Sequence, residues 1–543
     1  MHTSGSRYRF RWGTVWVCGL WAILAVPSVA VAQSSPAALD QAVESFWAAD
    51  SPDALEEASS AIAEAASDIE SVWSRLRAGR SYQRSVPTGR QVVTRSNADG
   101  TEHDYVVMVP EDYDPSVRYP VRMYLHGGVS RPKRENGQFW RSEDRITRED
   151  AIVVTPSGWN ESLWWEESQI ENFAGILNDL KRIYNVDENR VFLLGVSDGA
   201  TGAFYHAFKA TTPWAAFLLF NGHPVVLANP ASDVDGDMHV TNLRNKPLFV
   251  INGGRDRLYP TSSVLPFLRL FREAGVAIDF RPQEEAGHDM SWWDAEVGAM
   301  DEFMDMYTRR PLPPRLSWET EQANRYNRAH WLVITELGAV EGEPALDPYN
   351  AIHDPTRGIS LGINTLGELQ DGAGIKIFEV GADSIASTAG MRDDDVIIEI
   401  DGRDRPSIED LKQALMEFTP GQRIPMGVQR DGDRVELVFV YPVDAVPQQR
   451  LAFPLTQPSG RVEIDQQRNL VTVRTRGVRR FTLLLSPEQF DFTQPVTVVT
   501  NGVTVFEEMV EPEIETLLRW VAIDQDRTAM YGAELEIEVR AEP

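Results

Sequence analysis

The stretch Val191-Phe192-Leu193-Leu194-Gly195-Val196-Ser197-Asp198-Gly199-Ala200-Thr201-Gly202-Ala203 decides the fold of the central part of the chain. It passes from an apolar run typical of a buried strand, through a Gly-x-Ser-x-Gly turn, into a segment typical of a helix. Side chains beside the serine would collide with that strand and helix, so the glycines permit a very tight turn. Ser197 is therefore expected on a sharp, exposed elbow, with a helix N-terminus behind it that favours negative charge.

The chain around this elbow alternates between strand-like and helix-like segments. The strand candidates are 105–109, 121–125, 151–155, 191–196, 215–220, 247–251 and 277–281, and the helix candidates are 170–184, 199–210 and 262–274. Such alternation predicts an α/β domain over residues 91–312, in which helices cover both faces of a mostly parallel sheet.

Three residues in this domain suit nucleophilic catalysis. A serine hydroxyl attacks poorly unless a base takes its proton, so Ser197 needs a partner. His288 follows the last predicted strand, and Asp256 follows the strand before it. The chain order Ser197, Asp256, His288 predicts a nucleophile, an orienting acid and a general base that meet at one edge of the sheet.

An oxyanion hole needs backbone N–H groups aimed at the developing negative charge. The glycine pair after Tyr124-Leu125-His126 offers the N–H of Gly128 or Val129, and Asp198 offers a second N–H. Further residues near strand ends are candidates for the substrate site, although core packing explains them about as well. They are His126, Trp164, Trp165, His223 and Trp292.

No cofactor or metal ion is expected. Asp233-Val234-Asp235-Gly236-Asp237 resembles half of a calcium loop but lacks the glutamate that would complete it. No other His, Asp or Glu cluster has convincing metal-ligand spacing.

Residues 91–305 resemble the α/β-hydrolase superfamily, particularly its secreted esterase and polyhydroxybutyrate-depolymerase-like branch. The residues that carry the resemblance are Tyr124–Gly128, the segment 184–191, Gly195–Gly199, Asp256 and Gly287-His288. The resemblance implies a Ser197/Asp256/His288 triad that hydrolyses acyl esters or amides without a cofactor. Asp198 departs from the apolar, Met or Gln residue of many relatives, and its carboxylate could slow acyl transfer or select cationic substrates.

Residues 354–444 resemble a PDZ domain of the bacterial type. Arg357–Ile363 matches the carboxylate-binding loop and edge strand, and Ser384–Met391, followed by Asp395-Val396-Ile397, matches the most recognisable stretch. The resemblance implies that a peptide adds a strand beside Leu361, Gly362 and Ile363, with protein C-termini as candidate partners. The alternative to peptide binding is that the module serves only as a structural spacer. We expect this module to be inserted in a β-rich accessory domain formed by 315–350 and 447–543.

The N-terminus has the pattern of a signal peptide. A basic start and an apolar run end in Ala30-Val31-Ala32, which predicts removal of residues 1–32 and export to the periplasm or the extracellular space. Residues 37–90 then read as a helical segment.

The net charge of −29 argues against nucleic-acid binding, and no later apolar run is long enough to span a membrane.

Three functions remain open from the sequence. The first is an exported esterase acting on a small ester, and the second is a serine peptidase of the same fold acting on peptides. The third is a non-catalytic scaffold of the cell envelope that binds peptides. Fold alone does not choose between ester and peptide chemistry.

Overall fold

The computed structural model describes residues 36–134, 137–353, 361–369, 374–419, 421–443 and 449–540. The predicted signal peptide and most of the predicted carboxylate-binding loop therefore lie outside the described residues. None of the helices in these ranges is both long and apolar enough to cross a bilayer.

Three helices precede the sheet. They are α1 (Pro36–Ala48), α2 (Pro52–Ala65) and α3 (Ile69–Ala78). Ser51 and Asp68 cap the second and third by accepting hydrogen bonds from backbone N–H groups of their first turns. Their apolar faces pack with Leu517 and Val521, near the other end of the chain, rather than with the central sheet.

The central domain is built on one eight-stranded sheet. Its strands are β1 (Gly89–Ser96), β2 (Glu102–Val109), β3 (Tyr119–Leu125), β4 (Ile152–Pro156), β5 (Val186–Val196), β6 (Ala216–Phe220), β7 (Leu248–Gly253) and β8 (Ile278–Gln283). The order is β1-β2-β4-β3-β5-β6-β7-β8, and β3 to β8 run parallel. This is the α/β-hydrolase arrangement, so the predicted fold class is confirmed.

Helices cover both faces of this sheet. They are α4 (Glu167–Ile183), α5 (Asp198–Lys209), α6 (Thr261–Glu273) and α7 (Trp293–Met306). Leu193 belongs to the hydrophobic core on one face, whereas Phe192 and Leu194 belong to the core on the other. Burial on both faces explains why the central strands read as continuous apolar runs. The carboxyl ends of β3, β5, β7 and β8 therefore meet at one edge.

The β-rich region begins with four strands. They are β9 (Arg315–Thr320), β10 (Arg328–Ala329), β11 (Leu332–Leu337) and β12 (Ala351–His353). The chain then enters a separate module with its own core. Its elements are β13 (Ile363–Glu368), β14 (Ile375–Val380), α8 (Ile385–Thr388), β15 (Val396–Ile400), β16 (Arg403–Asp404), α9 (Ile408–Glu417), β17 (Arg423–Arg430) and β18 (Asp433–Val440).

The β-rich region resumes after this module. Its remaining elements are β19 (Gln449–Leu451), β20 (Gly460–Gln467), β21 (Leu470–Arg476), β22 (Val478–Leu485), β23 (Val496–Thr500), β24 (Val503–Glu508), α10 (Ile514–Asp524) and β25 (Ala533–Glu538). Two sheets, β24-β23-β21-β20-β9 and β10-β11-β22-β25, share one hydrophobic core. Strand β12 pairs with β19, so the two ends of the inserted module meet at its base.

A buried charged contact joins the β-rich region to the hydrolase domain. Glu321 accepts hydrogen bonds from Lys209 Nζ at 3.0 Å and from His239 Nε2 at 2.9 Å. Burial alone would raise the pKa of Glu321, but these two donors hold that pKa well below its ordinary value. The carboxylate therefore stays charged inside the interface.

The acidic segment that resembles half of a calcium loop serves the same interface. Asp235 accepts hydrogen bonds from Arg325 and Tyr326, and Asp237 accepts from Thr456. Within the described ranges, no group of three or more side chains is arranged to hold a metal ion.

Candidate active site

The elbow at Ser197 has the strained geometry that the Gly-x-Ser-x-Gly motif requires. Strand β5 ends at Val196, and Ser197 has φ 56° and ψ −122° before α5 begins. A Cβ on Gly195 would overlap the carbonyl group of Gly199, and a Cβ on Gly199 would overlap the carbonyl group of Leu125. A non-glycine residue at such a conformation costs about 1–3 kcal/mol, and this kind of strain concentrates at functional sites.

Three side chains form one chain of hydrogen bonds at this edge of the sheet. His288 Nδ1 lies 2.7 Å from Asp256 Oδ2, and His288 Nε2 lies 2.9 Å from Ser197 Oγ. The Asp256 carboxylate accepts a hydrogen bond from the Nδ1–H group, which leaves Nε2 without a proton and able to accept the proton of the serine hydroxyl. The structure therefore brings together the three residues that the sequence singled out.

Asp256 is held as a buried carboxylate. Its side chain is fully buried, whereas the His288 side chain is 27% exposed. Oδ1 accepts hydrogen bonds from the backbone N–H groups of Leu258 and Tyr259 at 2.8 and 2.9 Å. Burial works to raise the pKa of Asp256, but these donors and His288 together lower it below the ordinary value. Asp256 is therefore a fixed negative charge that orients the imidazole.

The proposed oxyanion donors have an acceptor that the sequence did not reveal. The backbone N–H groups of Gly128 and Val129 both donate to Asp198 Oδ2, each at 3.0 Å. Because the Asp198 carboxylate occupies these donors, the hole is not open in this conformation. The Asp198 side chain must move before the Gly128 N–H group can stabilise a developing oxyanion.

His126 supports this glycine loop from behind. Its ring is buried, and its Nε2 accepts a hydrogen bond from the Gly158 N–H at 3.1 Å. Nδ1 lies 3.0 Å from the Gly127 carbonyl oxygen and donates to it. Burial lowers the pKa of His126 to about 4, so the ring stays neutral. His126 lines the cavity beside Ser197, but both of its ring nitrogens already form hydrogen bonds.

The other four candidate substrate residues lie away from that cavity. Trp164 is fully buried and donates to the His126 carbonyl oxygen, while Trp165 donates to the Ser232 carbonyl oxygen. His223 caps a short 3-10 helix through Val225, and burial lowers its pKa to about 4. Trp292 packs against Phe220. None of these four lines the cavity, because each is held by core packing or internal hydrogen bonds, so their role in substrate binding stays a prediction that this cavity does not support.

A cavity of about 420 Å³ opens beside the serine. Most of its wall comes from the loop between β3 and β4, together with the segment after His288. The lining residues are His126, Gly127, Gly128, Arg131, Arg134, Phe139, Trp140, Arg141, Val196, Ser197, His288, Asp289 and Met290. The length of that loop, at the carboxyl end of a central strand, is the sequence signal that could have identified it.

The inserted module presents an edge strand. Strand β13 begins at Ile363 and pairs with β14, and the described residues place no second strand beside it. Leu361 is buried in the module's core, and Gly362 has φ 73°. The Gly362 carbonyl oxygen accepts a hydrogen bond from Gly381 at 2.8 Å. The edge that the sequence predicted for peptide binding therefore exists as a strand.

Parts of the chain are similar to known proteins. Residues 357–438 match a family model described as a PDZ domain, which confirms the predicted module. The chain is 25% identical over 178 residues to the bifunctional acetylxylan esterase/xylanase XynS20E of Neocallimastix patriciarum, covering 32% of this chain and 24% of that protein. It is 26% identical over 130 residues to dipeptidyl-peptidase 5 of Porphyromonas gingivalis, covering 21% of this chain and 19% of that protein.

Among solved structures, S-formylglutathione hydrolase (FrmB) from Staphylococcus aureus matches 41% of this chain and 99% of its own. The sequence identity is 16% and the TM-score is 0.33. The chain spans about a quarter and a fifth of the length of the two curated relatives.

Proposed function

We propose that the protein is a serine hydrolase that transfers an acyl group to Ser197 and then to water. The observation that carries the proposal is the hydrogen-bonded chain from Ser197 Oγ through His288 to Asp256, at the mouth of a cavity. The strained elbow under Ser197 adds to it, since it exposes the hydroxyl group at the carboxyl edge of the sheet.

The geometry supports the following steps. His288 Nε2 takes the Ser197 proton as Oγ attacks the substrate carbonyl carbon, and Asp256 stabilises the imidazolium that forms. His288 then donates this proton to the leaving group, which departs as the acyl-serine forms. A water molecule releases the acyl group by the same route in reverse. The tetrahedral oxyanion requires the N–H groups of Gly128 and Asp198, after the Asp198 carboxylate has moved aside.

Carboxylic esters are the proposed substrate class. Activated esters need less leaving-group protonation than amides, so a site whose histidine side chain is 27% exposed can process them without a closed cleft. One curated relative is named an acetylxylan esterase, in agreement with this choice.

Peptide hydrolysis is the second candidate, and the inserted module is the observation that favours it. Within the described residues no second strand lies beside β13, so this edge can receive an extended peptide, whose C-terminal carboxylate would meet backbone N–H groups near Leu361. Such a module could deliver chain ends to Ser197. The other curated relative is named a dipeptidyl-peptidase.

We also propose export of the protein, on the basis of the basic and apolar pattern in residues 1–32. Cleavage would remove Cys18, the only cysteine of the chain. N-terminal sequencing of the protein purified from its host compartment tests this proposal: a mature chain starting near Gln33 agrees with it, and an intact Met1 contradicts it.

The test of the proposed function compares the wild type with Ser197→Ala on p-nitrophenyl acetate and on an unstructured peptide. Loss of a working nucleophile lowers kcat by up to about 10⁶. Ester turnover that Ser197→Ala abolishes agrees with the esterase proposal. Peptide cleavage whose KM rises on deletion of 354–444 favours the peptidase. Binding of C-terminal peptides without turnover of either substrate points to a scaffold.

A further inference from the structure

The cavity beside Ser197 has a wall of positive charge. Arg131, Arg134 and Arg141 all line it, on the loop between β3 and β4. The whole chain carries 81 acidic and 52 basic side chains, so a group of three arginines at one cavity runs against the general charge of the protein. A local excess of one charge in a concave site selects ligands of the opposite charge.

Arg131 lies directly against the glycine loop. Its Nε and Cζ atoms are 3.8 and 3.9 Å from the position of a Cβ built on Gly128. The same Gly128 N–H is a candidate oxyanion donor, so this guanidinium group borders the space where a bound acyl group or leaving group would sit. An aspartate or glutamate at position 131 would reverse the charge of that border.

These arginines have no charged partner among the described residues. In the part of the chain that the structure describes, none of the three forms an ion pair, and the only side-chain hydrogen bond among them runs from Arg134 to the Gln138 carbonyl oxygen at 3.4 Å. Arg90 provides a contrast in the adjoining cavity, because its guanidinium group is paired with Glu143 at 2.7 Å.

Two described carboxylates near the cavity, Asp198 and Asp289, already accept backbone hydrogen bonds. Asp198 accepts from Gly128 and Val129, and Asp289 accepts from the Ser291 N–H at 2.9 Å. Neither neutralises the arginine wall through an ion pair. The cavity therefore favours an anionic group, which speaks against the selection of cationic substrates that Asp198 suggested from the sequence.

Resting on the serine hydrolase proposed above, we infer that the substrate carries a carboxylate close to the scissile bond. Guanidinium groups suit this ligand because their planar N–H donors match the two oxygens of a carboxylate. The carboxylate of an organic acid joined through an ester and the C-terminal carboxylate of a short peptide share this chemistry.

The test uses two aryl acetates that differ in charge, 4-acetoxybenzoate and its neutral amide, 4-acetoxybenzamide. We expect the wild type to have a kcat/KM about tenfold higher for the benzoate at low salt, falling as salt screens the charges. Arg131→Gln combined with Arg141→Gln should bring the ratio of the two kcat/KM values to about one. Arg145→Gln, whose arginine is exposed and lies outside the cavity, should keep the wild-type ratio.

The outcomes separate the inference from the function on which it rests. Ser197-dependent hydrolysis with equal kcat/KM for both acetates overturns the inference alone. Absence of hydrolysis of both acetates contradicts the proposed function, and calorimetric binding to the Ser197→Ala protein then decides the inference. Tighter binding of the benzoate, lost in the double arginine variant, supports it, whereas equal binding of the two compounds overturns it. Hydrolysis of a short peptide and of its C-terminal amide distinguishes the two sources of the carboxylate.

Discussion

Replacing Asp198 by alanine should make the enzyme faster. In the structure the Asp198 carboxylate accepts two backbone hydrogen bonds, from Gly128 and Val129, each at 3.0 Å. In the proposed mechanism the Gly128 N–H group stabilises the oxyanion, so the carboxylate must give up its contacts in every catalytic cycle. An alanine has no such contacts to break and places no negative charge beside the developing oxyanion.

The size of the effect follows from these two contacts. A hydrogen bond to a charged group is worth about 1.5–3 kcal/mol, so breaking two at the lower value costs about 3 kcal/mol. Each 1.36 kcal/mol is a factor of ten in rate. Part of this gain in rate is lost because the glycine loop, once released from Asp198, must be ordered in another way. We therefore expect kcat for p-nitrophenyl acetate to rise roughly 10- to 100-fold in Asp198→Ala.

Asp198→Asn is the matched control. Its amide oxygen can still accept from both N–H groups but carries no full charge, so its kcat should lie between the wild-type and alanine values. The double variant with Ser197→Ala gives the background rate. A tenfold or greater loss of kcat in Asp198→Ala, with an unchanged thermal unfolding midpoint, would refute the reasoning. The carboxylate would then be required to shape the glycine loop.

Three further predictions concern the acid, a buried histidine and the domain interface. Asp256→Asn should lower kcat by about 10³–10⁴, because an amide cannot hold the imidazole tautomer that leaves Nε2 free for Ser197. Burial lowers the pKa of His206 to about 3, so the folded state keeps the ring neutral, whereas the unfolded chain binds a proton below about pH 6.5. The neutral His206 ring therefore costs no stability above about pH 6.5, and its protonation in the unfolded chain lowers the free energy of unfolding as the pH falls towards 3. His206→Phe should make the drop in unfolding free energy between about pH 7.5 and 5 smaller by about 2 kcal/mol. Glu321→Gln should cost about 3–5 kcal/mol, seen as a lower unfolding midpoint by calorimetry, because Lys209 is left buried without its counter-charge.

Each of these predictions has a result that counts against it. An Asp256→Asn enzyme with wild-type kcat would remove Asp256 from the mechanism. An unchanged pH dependence in His206→Phe would mean that the buried ring is not neutral in the folded state. For the interface, the exposed Glu161→Gln serves as the control, and an equal shift in both variants would show that the Glu321 contact adds nothing specific.

The sheet and the three site residues were accessible from sequence for a physical reason. Strands buried on both faces are apolar runs, and their carboxyl ends in a parallel sheet share one edge. The positions of Ser197, Asp256 and His288 relative to those runs were therefore enough to predict that the three residues lie together. Strand β1 and helix α7 were not predicted, since β1 alternates half-buried and exposed residues and α7 begins among the tryptophans after His288.

The cavity wall was not accessible in the same way. A tryptophan in a loop reads alike whether it faces the core or the substrate, and the structure places Trp164 and Trp292 in the core. Arg131 and Arg141 lie in a loop without hydrophobic periodicity, so the local sequence does not predict which way their side chains face. The contact of Asp198 with Gly128 joins residues 70 positions apart and depends on the exact loop path.

The most direct test of the central claim is to locate a covalent adduct. The protein is treated with an activated phosphonate ester, which reacts with nucleophilic serines, and the modified peptide is identified by mass spectrometry. We predict one adduct per chain, on Ser197, formed at a much lower rate in His288→Ala because the hydroxyl group then lacks its base. Absence of an adduct, or modification at a different serine with Ser197 intact, would contradict the proposed mechanism.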